Sequence, residues 1–395
     1  MKKIAIVGAG SCGTALAIAL SRSRRPHRIS LWVHGADVLE ALRARRENSI
    51  YLPGMRVPDE VAITGALGEA LEDADIVLGA MPSAHARAVC GSMVPYLQSG
   101  DCAGLPDCSA AHDAGSAARD AGAASRDATV AAHLASAQDP AGPGRDIIDP
   151  GRDIIFVSAT KGIEPGSLKR MTEVAGEVLA PAFSDSGGSP RGLRLAALSG
   201  PSFALEVARG DPTAVVIASA DAGVAANVQE EFSGPTLRLY TNDDVTGTEL
   251  GGAVKNVIAI AAGVCAGLGL GSNSMASLVT RGLAEMTRLA IALGGRRDTL
   301  AGLAGLGDLI LTATGTLSRN RAVGVQLGQG RRLAAILGGM RMVAEGVGTT
   351  AATLALGKRH GIEMPITEQM HAVLDQGREP RDAMRELMER RLKQE

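Results

Sequence analysis

The sequence predicts an α/β protein: a doubly wound, mostly parallel sheet over residues 1–243, followed by an all-α domain over residues 244–395. Three observations predict it. Short apolar runs alternate with helical stretches through the first part of the chain. A glycine-punctuated turn joins the first of these runs to the first helix. After about Asp243 the pattern is helical almost throughout, broken only by glycine-rich turns and by Pro365 and Pro380. A length of 395 residues also exceeds one ordinary core, so two domains are expected.

Each element follows from its own pattern. Ile4–Val7 is a continuous apolar run, as expected of a strand covered on both faces. Thr14–Leu20 reads as a helix and Arg28–Val33 as a second strand, so the first 33 residues form one βαβ unit. Strands at Asp75–Leu78 and Ile154–Val157 continue the alternation, with helical segments at 37–47 and 84–97. Further strands at Leu195–Leu198, Ala214–Ile217 and Leu237–Tyr240 extend the sheet. Residues 99–152 fit neither pattern. They are rich in Ala, Asp, Gly and Ser and end in a tandem duplication, Pro143–Ile148 then Pro150–Ile155. Such a segment has too few large apolar groups to offset its ordering entropy, so it reads as a surface insertion. A regulatory or partner-binding arm is the alternative, and turnover after deletion of 103–148 separates the two.

Composition excludes several classes. A formal charge of -2 offers no basic field for nucleic acid or for an anionic membrane, although a few local cations would suffice for a small anionic substrate. The five cysteines (Cys12, Cys90, Cys102, Cys108 and Cys265) are scattered, without metal-ligand spacing. No metal is expected, and a reduced, cytoplasmic setting fits. Met1-Lys2-Lys3 and the apolar run after it could mimic a signal peptide, but Gly8, Gly10 and Gly13 interrupt that run and no cleavage site follows. No stretch reaches about 20 apolar residues free of glycine and polar groups, so no membrane span is expected.

Gly8-Ala9-Gly10-Ser11-Cys12-Gly13 has the G-x-G-x-x-G spacing, between a strand and a helix. The first glycine permits the tight turn, the second lets backbone approach a pyrophosphate, and the third packs helix on strand. Amides near Ser11 and Cys12 would face the phosphates with the helix dipole behind them. The second strand ends Trp32-Val33-His34 without the carboxylate that normally binds the adenosine 2′-hydroxyl of NAD. NADP is therefore admitted beside NAD, and the reading inclines to NADP, with His34 at the ribose or the phosphate and arginines 43, 45 and 46 nearby. Met81-Pro82-Ser83 follows a strand at its carboxyl end. It reads either as a border of the nicotinamide side or as a plain turn capped by Ser83.

Polar clusters embedded in small and apolar sequence carry the chemistry. Lys161 follows a strand, at the ligand edge of the sheet, and Gly200, Ser202 and Ala204 follow another. Lys255 and Asn256 lie within a long apolar helix, behind Gly251 and Gly252. Asp308 and Thr312 come next, then Ser318-Arg319-Asn320-Arg321, which reads as a capped helix start suited to a phosphate.

With Gly8–Gly13, these clusters resemble the successive signatures of the bacterial-type NAD(P)-dependent glycerol-3-phosphate dehydrogenase family: Ala159–Gly162, Gly200–Ala204, Gly252–Val257, Gly305–Leu309 and Ser318–Arg321. Thr280–Met286, Val343–Gly346 and Glu363–Thr367 match as well. The resemblance covers nearly the whole chain outside the insertion. It implies a Rossmann-type fold and hydride exchange between NAD(P)H and dihydroxyacetone phosphate to give sn-glycerol 3-phosphate for phospholipid synthesis. It implies Lys255 as general acid/base, with Lys161 and Asp308 beside it. Substrate contacts would come from Lys161, Gly200, Ser202, Lys255, Asn256, Asp308, Thr312, Ser318, Arg319 and Asn320. Cofactor contacts would come from Gly8, Gly10, Ser11, Cys12, Gly13, His34, Lys161, Ala204, Arg319, Val343 and Glu345. A homodimer is the accompanying expectation.

Physical chemistry agrees with the central role. Among Ala, Val, Ile and Gly, desolvation lowers the pKa of Lys255 towards neutrality, where it can exchange a proton with the substrate C2 oxygen. Met275 departs from the family, which usually carries a basic residue there. Two alternatives stand: a related two-domain dehydrogenase of a hydroxy or sugar acid, and a non-catalytic dinucleotide sensor.

Overall fold

The computed structural model describes residues 1–97, 153–183 and 192–391, so the expected insertion at 99–152 lies outside the described residues. Among the described residues eight strands form one sheet: β1 (Lys3–Val7), β2 (Arg28–Trp32), β3 (Val61–Thr64), β4 (Ile76–Gly79), β5 (Ile154–Ser158), β6 (Leu193–Ser199), β7 (Thr213–Ala218) and β8 (Leu237–Asn242), in spatial order β3-β2-β1-β4-β5-β6-β7-β8. Ile4 of β1 pairs with Ile29 on one side and Ile76 on the other. Every pair is parallel except β6 and β7, where Ser199 lies opposite Val216. The alternation along β1 explains its continuous apolar run. Ile4 and Ile6 enter one core layer, Ala5 and Val7 the other, and helices cover both. β3 was not expected. It is a four-residue edge strand whose Ala62 is exposed, too short and too mixed to stand out.

The order reverses between β1 and β4, and such a switch point opens a crevice at the carboxyl ends of the strands. The chain leaves the sheet after Asn242 and enters the central helix, Val245–Gly267. This helix is apolar and long enough to cross a membrane, yet most of it is buried inside the fold. Helices Ser272–Ala292, Asp308–Thr314, Arg319–Gly328 and Glu345–Arg359 pack around it. Small residues set the spacing. A Cβ on Gly263 would fall 2.1 Å from the Arg321 carbonyl oxygen, and one on Gly324 would fall 2.0 Å from that of Ile260. These two helices therefore touch backbone to backbone, as do Gly251 and the π turn Leu303–Gly307.

Candidate active site

A cleft of about 700 Å³ runs from the glycine turn to the central helix. At its sheet end, Gly8 adopts a φ of 115° and a Cβ there would meet the Ala80 carbonyl at 2.8 Å. A Cβ on Gly13 would overlap the Gly8 carbonyl at 1.9 Å, whereas one on Gly10 would meet nothing within 4 Å. The outer glycines are needed for packing and the middle one faces open space, which fits an approaching pyrophosphate. Buried Asn48 braces the turn by donating to the Ala9 carbonyl at 2.8 Å and to Thr14 Oγ1 at 2.9 Å. No local pattern marked Asn48; its role exists only once the helix Ala36–Arg45 folds back.

Ser11, Cys12, Trp32 and His34 line the cleft, while Gly13 stands behind its wall. His34 is exposed, its ring centroid 5.7 Å from that of Trp32. Burial pushes the Cys12 thiol upward, so it stays neutral. The arginines expected near the adenosine do not line the cleft. Arg46 ends its helix at a φ of 55° and donates to the carbonyls of Pro58 and Val61, and Arg45 donates to Ser49. The left-handed turn at Arg46 directs that guanidinium into the 57–61 segment.

At the other end two lysines share one carboxylate. Lys255 Nζ lies 2.5 Å from Asp308 Oδ1 and 2.7 Å from Thr312 Oγ1. Lys161 Nζ lies 2.7 Å from Asp308 Oδ2 and donates to the Gly200 carbonyl at 2.7 Å. Lys255 is 6 % exposed and Asp308 1 %. Burial lowers the Lys255 pKa to about 8, partly opposed by Asp308. Burial alone would raise the Asp308 carboxyl, but the ammonium groups of Lys161 and Lys255 outweigh it and hold it below the ordinary value. Asp308 opens the helix Asp308–Thr314 with its side chain held by both lysines.

Backbone geometry serves the same corner. Gly200 has a φ of 125°, and its carbonyl also accepts from Ser202 Oγ at 3.0 Å. Ser202 and Ala204 line the cleft, with Ala204 starting the helix Ala204–Arg209. Ser318 caps Arg319–Gly328 by accepting from the Arg321 amide at 3.2 Å, which leaves Arg319 exposed at the cleft wall.

A chain of bonds then joins the two domains. Asn256 donates to the Lys161 carbonyl at 3.3 Å and accepts from Asn320 at 2.9 Å. Asn320 accepts in turn from the Gly346 amide at 3.0 Å. Next to Gly346, half-buried Glu345 accepts from the Ser83 amide at 3.1 Å and from its hydroxyl. Ser83 therefore binds across the cleft instead of capping its own helix; its adjacency to Pro82 signalled only a turn. Val343 lines the cleft and is exposed. Met275, the departure from the family, packs half-buried against the helical core.

A second cavity of about 770 Å³ is lined by Lys169, Arg170, Glu173, Glu177, Asp243 and Arg296, among others. Its charges are already paired: Lys169 with Glu177, Arg170 with Glu173, and Arg296 with Asp243. Among the described residues no group of His, Cys, Asp and Glu could hold a metal ion.

Comparison with known proteins places the chain in a family. The family model described as NAD-dependent glycerol-3-phosphate dehydrogenase N-terminus matches residues 3–103 and 147–225, and that described as the C-terminus matches 244–385. The glycerol-3-phosphate dehydrogenase (NAD(P)+) of Koribacter versatilis is 50% identical over 391 residues, covering 99% of this chain and 98% of the relative. The enzyme of the same name from Acidobacterium capsulatum is 46% identical over 394 residues, covering 99% and 98%. The solved structure of glycerol-3-phosphate dehydrogenase from Coxiella burnetii is 35% identical and superposes with a TM-score of 0.78, covering 98% of this chain and 99% of that one. By the family models, the identity across its length and this shared fold, the chain belongs to the NAD-dependent glycerol-3-phosphate dehydrogenase family.

Proposed function

We propose that this chain interconverts dihydroxyacetone phosphate and sn-glycerol 3-phosphate with NAD(P), with residues 1–243 holding the cofactor and residues 244–395 supplying most of the substrate site. The observation that carries the reading is Lys255, a buried lysine with a pKa of about 8 held by Asp308 on the wall of a dinucleotide-sized cleft. The open space at Gly10 and the amides at the start of Ser11–Leu20 fit the cofactor's pyrophosphate. When bound, the nicotinamide cofactor supplies or accepts the hydride at substrate C2.

The protein's own residues do the rest. In reduction, protonated Lys255 gives its proton to the C2 oxygen as that oxygen gains negative charge, and in oxidation the neutral amine takes the hydroxyl proton. Asp308 fixes the ammonium geometry and keeps the lysine from losing its proton altogether. Lys161, tethered to Gly200 and Asp308, adds positive charge beside the same oxygen. Arg319 and the free amides of the Ser318-capped helix receive the phosphate. Asn256 and Asn320 hold these parts in register, since much of their hydrogen-bonding capacity is used within the protein.

Net oxidation of NADPH or NADH at 340 nm with dihydroxyacetone phosphate tests the reading. Turnover supports it and ranks the cofactors; cofactor binding without turnover overturns it in favour of a related dehydrogenase of another substrate or a sensor. A preference for NADPH is expected from the missing carboxylate at His34, although the arginines once expected to assist lie elsewhere. A cytoplasmic homodimer completes the reading, and light scattering of the purified enzyme checks the subunit count.

A further inference from the structure

Residues 341–346 form a strap from the helical domain across the cofactor end of the cleft. Met342 Sδ rests 3.2 Å from Ser11 Oγ, at the first turn of the helix behind the glycine turn. Arg319 donates to the Val343 carbonyl at 3.1 Å, and Glu345 and Gly346 are held by Ser83 and Asn320. The strap is therefore pinned on both sides of the place where a pyrophosphate would lie against the Ser11–Leu20 amides. Its first residue, Arg341, lines the cleft, is exposed, and among the described residues makes no hydrogen bond or ion pair. A guanidinium at this position with no protein partner keeps its five donors on solvent, free to exchange water for an anion.

We propose that Arg341 is a cofactor ligand: it reaches over the glycine turn from the helical domain and binds the pyrophosphate opposite the helix amides. The anion is then held between an amide cradle in one domain and a cation from the other, so the bound cofactor adds a further bridge between the two domains. The inference rests on the cofactor reading of the cleft and is independent of which substrate is reduced.

Trp32, the chain's only tryptophan, lines the cleft, so its fluorescence reports cofactor binding without turnover. Titrations of wild type and Arg341→Gln with NADH, NADPH and ADP-ribose, which keeps the pyrophosphate but lacks nicotinamide, decide the matter. The expected result is a rise in Kd of about tenfold for all three ligands, from loss of a charge-assisted contact. The difference should narrow as salt is raised, because the contact is exposed, and Arg341→Lys should recover part of it. Unchanged affinity for all three would overturn the proposal. A loss confined to NADPH would overturn it too, moving Arg341 to the 2′-phosphate. If wild type itself gives no response to either nucleotide, the cofactor reading fails and not this assignment alone.

Discussion

The proposed role of Lys255 depends on a balance of two forces, burial pulling its proton off and Asp308 holding it on. The sign of its pH dependence follows. Below about 8 the lysine is protonated and able to donate, so reduction of dihydroxyacetone phosphate should be lost as pH rises through about 8. Oxidation of glycerol 3-phosphate needs the neutral amine and should rise over the same range. Initial rates in both directions across pH check the pair of limbs. In Asp308→Asn the charge that raises the Lys255 pKa is gone, so both limbs should move to lower pH; limbs that stay in place would remove Asp308 from this role. Arg319→Ala should act elsewhere, raising the KM for the phosphorylated substrate by about tenfold as a charge-assisted contact is lost. An unchanged KM would refute the phosphate assignment. At this scale much was legible in the sequence. A lysine and an asparagine embedded in apolar helix, or an aspartate after a glycine run, are anomalies that hydrophobic patterning exposes. Asn48 and Arg341 were not legible. Asn48 is an ordinary polar residue in a polar stretch and Arg341 a lone arginine among Gly, Met and Val, and the position of each depends on chain folded against it from far away.

Among the elements, the contact between Val245–Gly267 and Arg319–Gly328 fixes where the proposed phosphate site stands. Gly324→Ala would press a methyl group onto the Ile260 carbonyl and force the helices apart. Overpacking of this kind typically costs about 1–3 kcal/mol, and direct backbone contact places it near the upper end. Denaturant unfolding should show that loss, and the KM for substrate should rise as Ser318 and Arg319 shift. A second motif pair gains its reason here. Buried Glu285 accepts from the Ile366 and Thr367 amides, both at 2.9 Å, and so closes the start of Pro365–Asp375. In the sequence, Thr280–Met286 and Glu363–Thr367 were only separate matches to a family. Among the strands, β3 escaped notice because edge strands of four residues carry little periodicity, and the reversal at β7 because apolar runs do not state their direction.

For the molecule as a whole, the Ser83–Glu345 bond is a direct tie between sheet and helical domain at the cofactor cleft. Ser83→Ala leaves one Glu345 oxygen without that donor and should weaken cofactor binding severalfold, seen as a raised cofactor KM, while Ser83→Thr should restore part of it. Equal KM values in wild type and Ser83→Ala would show that the tie does not govern the cleft. The division into sheet and helical halves was readable from the change in periodicity near Asp243. The tie across 262 residues was not, because neither Ser83 nor Glu345 has a local pattern that points to the other.

The single antiparallel step in the sheet has a consequence for how the lysine is delivered. Because β7 and β8 run against β6, the chain finishes the sheet at the edge remote from the cleft, and the central helix must travel back. From Val245 to Lys255 that return is about 15 Å at 1.5 Å per residue. The helix thus acts as a ruler and a dial at once. Removing one residue before Lys255 would shorten the reach by only about 1.5 Å, but it would rotate the amine by about 100° away from Asp308. Surface loops can absorb changes of length; these ten residues are held to their number.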